Sequence, residues 1–363
     1  MKILGTLRML DICVVHSLTP ITEIDTVEEI IIVRNSPGPI IPKVKYCCPP
    51  YLLNKFFVTR ILSKALLMIY LIIKEKPDIV ISYYLKASGL IALFSAKLFR
   101  LPVNFNVMSG AEEYQLLRIG GKDYRFKIME KFLLNLTKQF DSVTTTGTKT
   151  KEYLIRNGVG KDIIEVLPDS VDLDRFCPDP IGKKYDLVTV ARFDPAKKLD
   201  NFLQIVAKVK AKKDDIKVAL VGDGPLKNRL VTLSRELDIE NNVDFVGYKD
   251  NVEWYYNSSM VFVLTSEREG FPMAALEAMG CGLPCVISNV GDVSDLAVDG
   301  HNAIVIDDYN DVERYVEGIL RLLNDENLYN KISSNAHKTV QEQFSYENAK
   351  NVWNKILEKL VFL

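Results

Sequence analysis

No apolar run in this sequence is long enough to cross a bilayer. The longest, residues 61–73, includes Lys64 and falls short of the roughly 20 residues a spanning helix needs, so it reads as a buried helix. The start lacks a compact apolar region followed by a small-residue cleavage site, which argues against a secretory signal and for a cytoplasmic protein. Six cysteines, Cys13, Cys47, Cys48, Cys177, Cys281 and Cys285, lack the paired spacing of a disulfide framework or a zinc knuckle. Cys281 and Cys285 come closest to a ligand pair, yet no histidine or further cysteine lies near them to complete four-coordination. No metal is expected, and the thiols should be reduced and mostly buried. Low-complexity tracts and internal repeats are missing too, which sets aside disorder and solenoid architectures.

What is present is an ordinary globular composition in a chain of 363 residues, longer than one hydrophobic core usually serves. Two domains with a cleft between them are expected. The net charge of -1 conceals an uneven distribution, because residues 43–158 hold 19 Lys or Arg against 8 Asp or Glu. A basic N-terminal half suits either a solvated surface or an anionic membrane or acceptor. Within residues 125–140, Ile128, Phe132 and Leu136 form one apolar stripe at helical spacing, which core packing alone could also explain.

From residue 185 onward, short apolar runs alternate with helical periods. Strands are expected at 186–191, 217–221, 243–246, 260–264, 284–287 and 303–306, with a helix at 273–279. That alternation predicts a parallel, doubly wound α/β sheet. The first half shows strand patterns at 29–33, 78–82, 103–107 and 142–146 and reads as a second α/β domain. Turn formers Pro168, Asp169, Pro178, Asp179 and Pro180 mark the linker. The expected domains are 1–170 and 171–345, followed by a helix over 346–363 able to lie across both.

The most informative stretch, residues 266–288, reads SEREGFPMAALEAMGCGLPCVIS. Glu269 sits in a loop at a strand's carboxyl end, where open α/β sheets bind ligands, and Glu277 lies about two turns along the following helix. Carboxylates accept hydrogen bonds from hydroxyls, so sugar or ribose groups are natural partners, whereas a solvated acidic loop is the plainer alternative. Gly270, Phe271 and Pro272 lead into the helix at Met273, whose first-turn amides could meet an anion. In VARFDPAKKLDNF, residues 190–202, Arg192 and Lys197 could converge on a diphosphate or simply decorate the surface. The turn VGDGP, residues 221–225, places Gly222 and Gly224 where backbone can approach closely. Its spacing matches neither the dinucleotide fingerprint nor a P-loop, which argues against a nicotinamide dehydrogenase or a kinase.

Taken in order, VARFDPAKK, VGDGP, FVGY, SEREGFPMAALEAMGCGLPCVIS and GDVSDLAVDG resemble the retaining family 4 glycosyltransferases (glycosyl transferases group 1). The resemblance is strong over 165–310, looser to the C-terminal helix, and general in layout before that. It implies the GT-B fold, two Rossmann-like domains facing across a cleft. It also implies transfer of a hexose-type sugar from a UDP- or GDP-sugar to a saccharide or lipid-linked acceptor. By that resemblance Arg192 and Lys197 neutralise the donor diphosphate in place of a metal, and Glu269 contacts the transferred sugar. Glu277 would hold the ribose, Gly270 to Met273 would present amides to phosphate and sugar, and Tyr248 would sit at the base. No cofactor is implied, since the nucleotide-sugar is a substrate.

The chain also departs from the family. Residues 1–25 carry only Gly5 and no glycine-rich loop, so the N-terminal domain reads as abbreviated or diverged. His16 is the only histidine before His301, and no catalytic histidine carries over; Asn106 and Ser109 stand in that region instead. An active enzyme of surface polysaccharide or glycolipid synthesis, peripheral on the inner face of the plasma membrane, is one expectation. The alternative is a catalytically impaired subunit that binds nucleotide-sugar. No nucleic-acid reader motif is present, and nucleic acid is not expected as a partner.

Overall fold

The computed structural model describes residues 1–362 apart from 8, 55 and 115–123. The chain divides into two compact units, residues 1–170 with 346–363, and residues 171–345.

The first unit is built on seven parallel strands: β1 (Lys2–Thr6), β2 (Glu29–Val33), β3 (Val44–Cys47), β4 (Ile79–Tyr83), β5 (Val103–Val107), β6 (Ser142–Thr145) and β7 (Ile164–Val166). They run in the order β3-β2-β1-β4-β5-β6-β7. Segments such as IIIV within β2 are continuously apolar because helices cover both faces of the sheet. Ile30 and Ile32 join Val14, Leu18 and Trp353 in one core, while Ile31 and Val33 join Met68 and Leu71 in the other. The last helix, Tyr346–Val361, supplies Trp353, Ile356 and Leu357 to the first of these cores.

Two expectations for this unit need correction, and a third reading, left open by the sequence, is decided. Its start is not abbreviated as a fold element: β1 is complete and central, with Ile3 in register with Ile30 on one side and Ile79 on the other. Only the glycine-rich loop is missing after it. The apolar run 61–73 is not a buried helix either. It lies within the helix Phe57–Glu75, whose inner side carries Ser63, Lys64, Met68, Leu71 and Ile72 and whose outer side exposes Leu62, Leu66, Tyr70 and Ile73. The stripe on the helix Tyr124–Thr137 divides, with Leu136 half-buried against the core and the rest pointing outward. Leu133, Leu134 and Thr137 make its core contacts, whereas Ile128 and Phe132 are exposed; the side chain of Arg125 lies outside the described residues.

The second unit holds six parallel strands: β8 (Tyr185–Val190), β9 (Val218–Val221), β10 (Val243–Gly247), β11 (Ser259–Leu264), β12 (Cys285–Ser288) and β13 (Ile304–Ile306). Their order is β10-β9-β8-β11-β12-β13. Two apolar cores flank the sheet, and both Cys281 and Cys285 are buried in one of them as free thiols. Helices begin where short acids cap them: Asp311 accepts from the Arg314 amide and Asp325 from the Leu328 amide. Both units are therefore parallel-sheet, Rossmann-like α/β domains, with the strand order of each reversing at its central pair.

Candidate active site

In an open parallel sheet, ligands meet the loops beyond the strands' carboxyl ends where the strand order reverses. In the second unit that point lies between β8 and β11. The loop after β8 carries Lys197 and the loop after β11 carries Glu269. There Lys197 Nζ donates to both carboxylate oxygens of Glu269, at 2.7 and 2.9 Å. The buried Ser266 hydroxyl donates to Glu269 Oε1 at 2.6 Å. The loops are stitched behind this contact: Thr265 Oγ1 donates to the carbonyl of Lys197 at 3.0 Å, and the Glu267 amide to that of Ala196 at 2.8 Å. Lys198 pairs with Glu267 at 3.0 Å. An ammonium has three protons, so Lys197 can hold its carboxylate and a phosphate oxygen together. Ser266 and Thr265 escaped the sequence reading because single hydroxyls in a loop carry no signal without their partners.

Arg192 does not join this cluster. Its side chain is 74% exposed, with Nε 3.9 Å from Asp194. Gly222 and Gly224 pack the turn after β9 against the loop after β8. A Cβ on Gly222 would stand 1.9 Å from the Ala191 carbonyl oxygen, and one on Gly224 would stand 2.6 Å from that of Phe193. The Gly222 amide donates to the Gly247 carbonyl and the Gly224 amide to Asp223 Oδ1, so both donors are already engaged. These glycines shape the loop that carries the basic residues rather than offering amides of their own. Tyr248 follows β10 with its ring exposed.

After Glu269 the chain turns into the helix Met273–Gly280. The amides of Gly270 and Phe271 donate to no described residue, while the Met273 amide is engaged with the Phe271 carbonyl and Pro272 has none to give. Two of the four expected positions therefore present an amide. The Phe271 ring anchors the turn, buried against Phe344 at 5.5 Å between centroids. Beneath it lies a residue the sequence reading left without a role, Gly291. Its φ of +55° is in the left-handed region, and a Cβ there would meet the Glu269 carbonyl oxygen at 2.1 Å. The neighbouring Asp292 amide donates to the Gly270 carbonyl at 3.0 Å. The GDV turn is the floor on which the Glu269 loop rests.

Glu277 occupies a different setting. It is buried, and the Tyr256 hydroxyl donates to its Oε2 at 2.9 Å. Burial pushes its carboxyl up to about 7, against the opposing pull of that hydrogen bond and of the Arg175 charge. Arg175 is itself held by Glu253, with Nε and a terminal nitrogen at 3.0 and 2.8 Å from one carboxylate oxygen. Tyr256 lies in the apolar core between Phe176 and Phe262, so its hydroxyl is fixed in direction. The two glutamates thus differ in kind, one paired with a cation and the other buried, bonded to Tyr256 and about half ionised near pH 7.

Comparison with known proteins agrees with this layout. Residues 172–339 match the model for glycosyl transferases group 1, and residues 25–175 match that for glycosyltransferase family 4. The N-acetyl-alpha-D-glucosaminyl L-malate synthase of Bacillus anthracis is 33% identical over 44% of this chain and 42% of its own length, so that match spans less than half of either protein. The Escherichia coli UDP-Gal:alpha-D-GlcNAc-diphosphoundecaprenol alpha-1,3-galactosyltransferase is 27% identical over 78% of this chain and 76% of its own. In fold, the chain superposes on Anabaena HepE, crystallised with UDP and glucose, with a TM-score of 0.80 over 99% of each chain at 16% identity. Two Rossmann-like domains, motifs in family order and two matching family models make this chain a member of the family 4 glycosyltransferases, glycosyl transferases group 1, with the GT-B fold.

Proposed function

We propose that this chain moves a hexose-type sugar from a UDP- or GDP-sugar to a hydroxyl of a saccharide or lipid-linked acceptor, retaining anomeric configuration and using no bound metal. The observation that carries this reading is the Lys197–Glu269 contact at the switch point, with a spare ammonium proton and the Gly270 and Phe271 amides beside it. Lys197, joined by the exposed Arg192, neutralises the diphosphate as its bond to the anomeric carbon breaks. The acceptor oxygen forms the new bond on the same face and its proton passes to the departing diphosphate oxygen. Glu269, oriented by Ser266, accepts hydrogen bonds from the sugar hydroxyls. Glu277 receives the ribose, and Tyr248 lies toward the base.

The E. coli relative's name specifies a UDP-sugar and a diphosphoundecaprenol-linked acceptor, and HepE was crystallised with UDP. Both favour a UDP-sugar and a lipid-linked acceptor here, in surface polysaccharide or glycolipid synthesis at the cytoplasmic face of a membrane. The test is nucleoside diphosphate release from a panel of UDP- and GDP-sugars, with and without lipid extract and with chelator present. One donor should turn over, and Glu269→Ala should abolish it. A second reading, a subunit that binds the nucleotide without transferring sugar, draws on the lack of any glycine in residues 7–10 after β1. Tight UDP binding with no turnover of any donor would replace the first reading with the second.

A further inference from the structure

We propose that the outer face of the helix Phe57–Glu75, together with the groove it forms against the helix Leu90–Leu98, is a docking surface for an anionic lipid bilayer. The helix is apolar on both sides, whereas the usual surface helix turns a polar side to water: Met68, Leu71 and Ile72 pack inward, and the outer side is apolar as well. Here Ser63 and Lys64 are buried, while Leu62, Leu66, Tyr70 and Ile73 face outward, Leu66 being 68% exposed. Beside this row, Ile61, Ala65 and Ile69 face Leu90, Phe94 and Leu98 across a groove of about 300 Å3, roughly ten times a water's share of liquid volume. Phe94 and Leu98 are 67% and 66% exposed. Just before the helix, Tyr51, Leu52, Phe56 and Phe57 are exposed as well. A contiguous apolar surface of this kind marks a place where something other than water belongs.

Charge selects the occupant. Residues 30–75 contain seven Lys or Arg against a single acid, Glu75, which pairs with Lys74 at 3.4 Å, and residues 79–111 contain no acid, with Lys86, Lys97 and Arg100 as their charges. Lys74, Lys86 and Arg100 are exposed. A second copy meeting this surface across a two-fold axis would bring like charges together. An anionic headgroup layer would instead neutralise the basic residues while the apolar row enters the acyl boundary. Contact in the plane of the membrane is the mode that fits, since no helix among the described residues is long and apolar enough to cross one. The outward stripe of Ile128, Met129 and Phe132 repeats the same composition elsewhere on this unit.

The inference gives the proposed lipid-linked acceptor a surface on which to meet the protein, and it is tested without turnover so that its failure leaves the transfer reading standing. The full chain is sedimented with vesicles of phosphatidylcholine alone and of equal parts phosphatidylglycerol and phosphatidylcholine. Binding should require the anionic lipid and weaken as salt rises, each basic residue near the surface contributing about fivefold in partition. The double variant Leu66→Glu with Phe94→Glu should lose roughly tenfold or more while keeping its circular dichroism and its UDP affinity. A separate Lys74→Glu with Arg100→Glu variant should lose the preference for anionic lipid. Three results would overturn the proposal. They are no binding of the unaltered chain to anionic vesicles at low salt, equal binding by the Leu66→Glu with Phe94→Glu variant, or a concentration-dependent dimer that this variant abolishes.

Discussion

Replacing Tyr256 with phenylalanine removes one hydroxyl from a filled core and leaves its shape intact, because the ring stays packed between Phe176 and Phe262. The lost group donates to Glu277 Oε2 at 2.9 Å. A hydrogen bond to a charged acceptor contributes about 1.5–3 kcal/mol, so without it the carboxylate form is disfavoured and the pKa rises by roughly one to two units. The starting point is a carboxyl already pushed up to about 7 by burial. In its proposed role at the ribose, ionised Glu277 accepts hydrogen bonds more strongly than the protonated form, so UDP affinity should climb with pH and flatten once Glu277 is ionised. In the unaltered protein the climb ends just above neutrality. In Tyr256→Phe it continues to about pH 8–9, leaving a deficit of roughly five- to fiftyfold at pH 7 that closes as pH rises. Calorimetric titration of UDP across that range reads the shift directly, with 2′-deoxy-UDP as a ligand that should show a shallower slope. A deficit constant with pH would refute the argument and reduce Tyr256 to a packing residue.

The same carboxyl makes a stability prediction of opposite sign. Its folded pKa of about 7 stands above the ordinary 4.5, so the folded state holds the proton more tightly and stability falls as pH rises between those values, staying low above them. Glu277→Gln should therefore be more stable than the unaltered protein at alkaline pH, by roughly 3 kcal/mol, and equal to it well below pH 4.5, while losing UDP affinity; thermal melts at both ends check this. Lys197→Ala should lower kcat about a hundredfold or more with a smaller effect on folding, and Arg192→Ala should do the same despite its exposure, both read by UDP release. Gly291→Ala should lower Tm and kcat together, since its Cβ would meet the Glu269 carbonyl at 2.1 Å. Gly300→Ala, at φ +65° with nothing within 4 Å, is the control for backbone strain alone, and an equal Tm loss in both would sink the idea that the GDV turn supports the site.

The second unit was legible because its chemistry is written in short, contiguous loops. Each follows a strand of four to six residues whose apolar run announces where the loop begins. Glu269 could be placed at a strand end from sequence, and β11 does end five residues before it, at Leu264. What the pattern could not supply was the pairing. Lys197 and Glu269 are 72 positions apart, and their contact depends on β8 and β11 being neighbours, a fact of sheet order rather than of motif. The same holds for Gly291, whose purpose appears only when the chain segment above it is in place. Motifs near one another in sequence reveal the residues of a site, and topology decides which of them touch.

The helix Phe57–Glu75 shows a harder ambiguity. Burial in a protein core and burial in lipid select the same side chains, so an apolar run states that water is excluded without stating by what. The order β3-β2-β1-β4 decides it: the sheet needs one side of this helix, and Met68, Leu71 and Ile72 satisfy that need from alternate turns. Leu62, Leu66 and Ile73 are then left over, apolar residues for which the fold has no use. They lie beside a run in which basic residues far outnumber acids. That combination is physically sensible when the missing partner is a membrane surface, and it is why the docking inference rests on which face the fold leaves uncovered rather than on the apolar run itself.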